Sequence, residues 1–332
     1  MLFTITFRLR NFYKCLLCLL LLVMLMPVLI RYQNIKSFII DWTYKDAKPR
    51  LETVYVCPLF MGRLGNNMFQ YAAAYGIATK KDMRVMLPSV SVIAKTFKVD
   101  ADMPENATRL CSTFPVLSEH NFAWGKFIQS FSLKIYGNNS VRIRGYFQSY
   151  KYFNHVKNAI RKQFTSFNED TRIKAVTMLQ KTKRYYLESL NLTSVTVIGV
   201  HVRRGDKLSP GNIKFGNKVA PREYFVKAMD HFHSKYTNTI FIICGEDQTW
   251  ARENVQPIYN VIVLNKSSTP DVDLAILAMC DHMIMSIGSY SWWAAFLNVG
   301  EIVYYKDWIL PGSGLYKGFK HEDYFPPEWI PM

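Results

Sequence analysis

Along the chain, short runs of solid hydrophobic character alternate with stretches whose apolar positions recur every three or four residues. The run from Val195 to Val200 is mostly β-branched, the composition of a buried central strand with both faces covered. Beyond it the alternation becomes regular. A helix is expected from Pro221, which suits a first helical position, to about Tyr236. A strand at Thr239 to Cys244, a helix at Gln248 to Val255, a strand at Val261 to Leu264 and a helix at Asp271 to Cys280 follow. The series closes with a strand at His282 to Ser286, a helix at Trp292 to Asn298 and a strand at Ile302 to Tyr305. Strands separated by helices predict βαβ units and a doubly wound parallel sheet.

The first half opens in the same way. Thr53 to Cys57 reads as a strand, followed by a loop holding Gly62, Gly65, Asn66 and Asn67. Met68, Phe69, Ala72, Ala73 and Ile77 then recur at helical spacing. Arg84 to Leu87 is a second strand, stopped by Pro88. Residues 89–139 show too little periodicity to assign. Arg142 to Gln148 reads as a strand, with a helix through Phe164 and a longer one from about Asn168 to Leu190. The pattern predicts an α/β protein whose two halves, 53–192 and 193–332, face one another across a cleft. A length of 332 residues agrees, because single cores stop growing near roughly 250–300 residues.

One apolar run fits neither pattern. Residues 15–30, CLLCLLLLVMLMPVLI, carry no charge, and Phe12 and Tyr13 extend them. A spanning helix needs roughly 20 residues, so this reads as a short membrane segment. RYQNIKSF follows it in place of a small-residue cleavage site, which favours an uncleaved anchor over a signal peptide. Arg8, Arg10 and Lys14 before the segment, against Arg31 and Lys36 after it, keep the N-terminus in the cytosol. The expected order is a tail over 1–11, a span over 12–30 and a stem over 31–52, with the rest lumenal. Such a short span suits the thin membranes of the early secretory pathway. The glycosylation acceptors Asn106, Asn138, Asn191 and Asn265 agree with that side. Cys57, Cys111, Cys244 and Cys280 are an even set compatible with disulfides, although apolar surroundings suit Cys244 and Cys280 equally well to being buried thiols.

The net charge of +16 points to nucleic acid, an anionic membrane surface or an anionic small ligand. No dense Lys/Arg run or stacked aromatic pattern marks a nucleic-acid surface, which favours an anionic small ligand. The central strand supplies a place for it, since it ends abruptly in His201, Arg203, Arg204 and Asp206 around Gly205. A planar guanidinium grips a phosphate with two parallel hydrogen bonds. A surface ion pair accounts for the same four residues, so this motif alone leaves the two readings even. A second loop, SIGSYSWWAAFL, places Gly288, Ser289 and Ser291 just before a helix, where hydroxyls and unpaired N–H groups take phosphate oxygens. Helix capping is the plainer role of those serines. Trp292, Trp293 and Phe296 read as core, and no C-x-x-C or His cluster beyond the membrane segment suggests a metal site.

Four blocks carry a resemblance. GRLGNNMFQYA from Gly62, GYFQSYKYF from Gly145, HVRRGD from His201 and DLAILAMCDHMIMSIGSYSWWAAFL from Asp273 resemble, in this order, the animal galactoside alpha-1,2-fucosyltransferases. The resemblance implies two Rossmann-like domains in the glycosyltransferase B arrangement, 53–192 on the acceptor side and 193–332 binding GDP-fucose, and a single-pass type II Golgi membrane protein. It implies inverting transfer of L-fucose from GDP-fucose to the 2-hydroxyl of a galactose on a glycan acceptor, without an obligatory metal or cofactor, and leaves a homodimer open. By motif, Arg203 is expected on the donor pyrophosphate, with His201, Arg204 and Asp206 shaping that site. Gly288, Ser289 and Ser291 would hold the phosphates, Asp273 would lie near the guanosine and Asn66 where acceptor and donor meet. Many bacterial members read Asn-Ser-Ser-Phe-Ser-Trp-Trp where this chain has Ile287 to Trp293, so Asn-based contacts do not carry over. A protein O-fucosyltransferase, or a non-catalytic carbohydrate-binding protein on the same fold, are the alternatives.

Overall fold

The computed structural model describes residues 53–119, 125–129, 139–256, 259–264 and 269–332. The expected tail, span and stem lie outside the described residues, as do Asn138 and Asn265. Among the described residues no helix is long and apolar enough to cross a membrane.

Strand β1 (Tyr55–Pro58) leads into helix α1 (Leu64–Lys80), after which β2 (Arg84–Val85), α2 (Val92–Thr96), α3 (Ala107–Thr113), β3 (Val116–Ser118) and β4 (Val141–Arg144) follow. The short elements α2, α3 and β3 occupy the stretch in which the sequence shows no period. All pairings in this sheet are parallel, in the order β2-β1-β4-β3. The expected strand through Gln148 stops at Arg144, because the backbone turns at Gly145 and Phe147, both at positive φ. Two 3-10 turns and helix α4 (Lys157–Thr165) connect to the long helix α5 (Glu169–Ser189). Asn168 caps α5 by accepting the Thr171 N–H at 3.0 Å, and Glu169 and Asp170 complement the dipole of its first turn.

The second sheet begins with β5 (Thr196–Val202), which a 3-10 turn joins to α6 (Pro210–Phe215) and α7 (Arg222–Lys235). Pro221 stands one place earlier than expected, as the N-cap of α7. Next come β6 (Thr239–Gly245), α8 (Gln248–Asn254), β7 (Val261–Val263), α9 (Pro270–Met279), β8 (His282–Met285), α10 (Ser289–Leu297) and β9 (Ile302–Tyr304). Short helices α11 (Gly314–Lys317) and α12 (His321–Tyr324) and strand β10 (Ile330–Pro331) finish the chain. This sheet is also parallel throughout, in the order β10-β9-β8-β5-β6-β7, with β5 and β6 in register from Thr196↔Thr239 to Val202↔Gly245.

Both sheets change winding direction beside their first strand. From β5 the chain runs outward to β6 and β7, then returns to β8 on the other side; β1 stands likewise between β2 and β4. Ligands of doubly wound sheets bind outside the carboxyl ends of the strands at such a switch point.

Residues 54–332 form one compact unit, and an aromatic core runs through it. Trp292 and Trp293 of α10 are fully buried and lie 4.6 and 5.0 Å from the Phe69 ring of α1. Phe153 stacks on Trp293 at 5.4 Å, and the Trp292 indole N–H donates to the Tyr324 carbonyl at 2.8 Å. Cys57 and Cys111 form a disulfide that ties β1 to α3, whereas Cys244 and Cys280 are buried thiols. Closing a loop of that length restricts the unfolded chain by about 4 kcal/mol.

Gly76 tests how closely α1 is packed. Alanine is favoured over glycine inside a helix by about 1 kcal/mol. A Cβ on Gly76, however, would stand 2.3 Å from the Tyr152 carbonyl oxygen, and that backbone is pinned by Phe153 in the core. Gly76→Ala is therefore expected to destabilise the protein by about 1–3 kcal/mol. Gly211→Ala in α6, where a Cβ meets nothing within 4 Å, should be neutral or slightly stabilising. Thermal denaturation of both variants checks the contrast.

Candidate active site

The two switch points open onto one cleft of about 1070 Å³, lined from the first sheet by the loop Gly62 to Asn66 and by Gln148. The second sheet contributes the ends of β5, β6 and β8 and the segments that follow them.

Arg203, one residue past β5, is the centre of its charge. Its backbone N–H donates to Ser286 Oγ at 3.0 Å, which fixes where the side chain emerges. The guanidinium forks to Asp206 Oδ1 and Glu246 Oε1, each at 2.6 Å. Glu246 Oε1 also accepts from Arg63 Nη1 of the first sheet's loop, at 3.1 Å. The arginine is mostly shielded from water, whereas Arg63 is exposed, so the Arg203 pair is the stronger of the two. Lys207 brings another cation: Nζ donates to Asn217 Oδ1 at 3.2 Å. Burial lowers its pKa; Asp206 opposes that shift and the Arg203 charge reinforces it.

His201 lines the cleft yet is buried, with Nδ1 3.4 Å from Ser286 Oγ and its ring 5.1 Å from that of Tyr290. Burial, and secondarily the Arg203 charge, push its pKa down to about 3. It is therefore a neutral imidazole at the foot of a cationic site.

Helix α10 begins beside it, after the neighbouring strand β8. It opens at Ser289, three residues earlier than expected, with Gly288 as its N-cap at φ +89°. Gly288, Ser289 and Tyr290 at its start line the cleft, and Ser289 Oγ donates to Asn66 Oδ1 at 2.7 Å. Gln148 Nε2 donates to the same oxygen at 2.9 Å. Asn66 thus joins α1, the turn after β4 and α10. Gly65 permits this approach, since a Cβ there would stand 2.5 Å from the Tyr290 amide nitrogen.

The cleft brings together Asn66, His201, Arg203, Asp206, Asp273, Gly288 and Ser289. Two expected residues are not among them. Arg204 is turned away from the cleft, its guanidinium 4.0 Å over the Trp250 ring and 3.6 Å from Asp247. Ser291 falls inside α10, about 200° around the helix from Ser289 and fully buried in the core. Asn106 and Asn191 are exposed. Among the described residues no three His, Cys, Asp or Glu side chains are grouped to hold a metal ion. Glu246, Lys207 and Gln148 were not singled out from the sequence. Glu246 had a signal, because Gly245-Glu246 ends an apolar strand just as Arg203 does.

Comparison with known proteins agrees with this architecture. Residues 25–332 match the profile of Glycosyl transferase family 11. The galactoside alpha-(1,2)-fucosyltransferase 2 of Hylobates lar is 31% identical over 277 residues, covering 81% of this chain and 76% of that protein. The galactoside alpha-(1,2)-fucosyltransferase 1 of Saimiri sciureus is 31% identical over 274 residues, covering 81% and 72%. POFUT1, solved in complex with GDP-fucose, superposes with a TM-score of 0.50 at 10% identity, over 76% of this chain and 98% of its own. At that identity the likeness concerns the fold alone.

The His201 environment predicts a pH dependence. Unfolded, the imidazole takes up its proton near 6.5; folded, it does so only near 3. The stability that goes with neutral His201 is present above pH 6.5 and is lost as pH falls toward 3. Between pH 8 and 5 the wild type should lose about 2 kcal/mol more than His201→Gln. Urea unfolding midpoints of the two proteins across that range check this, and parallel curves would contradict it.

Proposed function

This chain belongs to glycosyl transferase family 11, and from that premise we propose that it transfers L-fucose from GDP-fucose to the 2-hydroxyl of a terminal β-galactoside, with inversion. The observation that carries the reading is the Arg203 fork at the β5 switch point, beside the N-terminus of α10.

That fork is held by carboxylates of the protein itself. A pyrophosphate brings more charge to the arm that Glu246 holds and exchanges with it, while Asp206 keeps the other arm. The guanosine then lies toward the β6 side, where Gln248 and Asp273 line the cleft, and Gly288 and Ser289 meet the phosphates.

The reaction breaks the bond between fucose C1 and the β-phosphate oxygen, and the electron pair leaves with GDP. The fucose ring acquires oxocarbenium character as the phosphate gains charge. Arg203, Lys207 and the N–H groups of α10 are fixed where that charge grows, which is how a preorganised site lowers a barrier. The acceptor O2 bonds to C1 from the opposite face, and its proton passes to a base or a water relay. Asp206 holds one arm of the guanidinium and so acts by orienting Arg203. Neutral His201 adds no competing positive charge at the β5 end and supports the Ser286 hydroxyl that seats Arg203.

The same reading makes the protein a single-pass type II enzyme of the Golgi membrane, anchored by residues 12–30, with its catalytic unit in the lumen. The Cys57–Cys111 disulfide and the exposed Asn106 and Asn191 support an oxidising, glycosylating compartment.

The full-length chain in detergent, given GDP-fucose and β-galactosides with a chelator present, should place fucose on the galactose 2-hydroxyl. Fucose at another position, or on serine or threonine of a protein acceptor, would overturn the assignment. Arg203→Lys keeps the charge and loses the fork; turnover should fall by about 100-fold or more with an unchanged melting temperature. Activity near that of the wild type would refute the role of Arg203.

A further inference from the structure

The cleft has an end that charge does not explain. On the β6 side of Arg203 its lining is polar, with Glu246, Gln248 and Asp273. On the other side, past β8 and β9, the lining becomes Phe215, Trp308, Leu315 and Tyr324. This wall is built rather than incidental. The backbone after α6 runs beside the segment after β9: the Lys218 N–H donates to the Trp308 carbonyl at 2.7 Å and the Leu310 N–H to the Gly216 carbonyl at 2.8 Å. Trp308 is buried against Phe319 and Tyr324, with ring centroids at 5.2 and 5.9 Å. Among the described residues its indole N–H is buried without a hydrogen-bond partner.

Phe215 stands at the mouth of this wall and is 37% exposed. It is positioned by the end of α6 and by Gly314, where a Cβ would sit 3.4 Å from its ring. An aromatic ring exposed in the wall of a polar cleft offers a ligand an apolar surface.

We infer that this aromatic end is the acceptor subsite, in which the terminal galactose lays its apolar face on Phe215 over the Trp308 floor. The inference rests on the reading of the cleft as a GDP-fucose site. Topology separates the two substrates. With the pyrophosphate at the ends of β5 and β8 and the guanosine toward β6, the fucose and whatever attacks it are left on the β9 side. The chemistry of the wall fits a galactoside. The axial 4-hydroxyl of galactose leaves C3–H, C4–H and C5–H on one face, and those polarised C–H groups suit the negative face of an aromatic ring. The opposite face and edge, which carry the hydroxyls, then point at the polar residues across the cleft, where Asn66 and Gln148 meet.

The test is a split of kinetic constants in the full-length chain. Phe215→Ala should raise the KM for a simple β-galactoside about ten-fold, the worth of one aromatic contact. The KM for GDP-fucose should stay within about two-fold. Phe215→Trp should restore the acceptor KM, and an unchanged melting temperature in both variants sets aside a folding defect. An unmoved acceptor KM in Phe215→Ala, with normal donor KM, overturns the subsite and leaves the function standing. A rise in the donor KM instead assigns the aromatic end to the donor and equally overturns it. If the wild type binds no GDP-fucose, the functional reading fails first and the subsite with it.

Discussion

Burial of α10 on all sides beyond its first turn is the constraint on which the rest of the structure depends. Trp292 and Trp293 are withdrawn from water into a core shared with Phe69 of α1 and Phe153, so the helix cannot move without opening that core. Replacing either tryptophan by alanine would cost about 3–5 kcal/mol, a large part of what typically holds a domain together. The same packing sets the first turn of α10 against Gly65 and Asn66, and so brings the helix start of the second sheet against the first sheet's loop. Hydrophobic packing and site geometry are here two consequences of one helix.

Around that helix end the charge is arranged to be exchanged rather than merely neutralised. Arg203 is held by Asp206 on one arm and Glu246 on the other, with Arg63 sharing Glu246. A guanidinium shielded from water and left unpaired would carry a large desolvation cost, which these carboxylates offset. Asp206 is close in sequence and keeps the fork aimed; Glu246 belongs to the neighbouring strand end and is the partner that a phosphate can replace. The neutral His201 limits how much positive charge must be packed into one place.

Much of this was legible in the sequence where local pattern and burial coincide. The β-branched run of β5, the apolar seam of α10 and the capping Asn168 before α5 each state their own conformation. The stretch from residue 89 to 139 did not, because α2, α3 and β3 are too short to display a period. Strand β4 ends early through backbone angles at Gly145 and Phe147 that hydrophobicity does not encode. Among the site residues, Arg203, Asp206, Asn66, Gly288 and Ser289 were found because their motifs lie at strand ends and helix starts. Arg204 and Ser291 share those motifs, but the side on which a residue emerges depends on the local turn, which spacing alone leaves undetermined. Phe215 and Trp308 escaped notice for another reason. They lie 93 positions apart and become neighbours only through the pairing of Gly216 with Leu310.

The central claim is that Arg203 and the start of α10 grip a pyrophosphate. The most direct measurement is calorimetric titration of the chain with GDP, GMP and guanosine in the presence of EDTA, repeated at increasing salt. The account predicts that GDP binds far more tightly than GMP or guanosine, with an affinity that falls as salt rises. Equal affinity for GDP and guanosine would mean that the cleft reads the base alone, and would contradict the account.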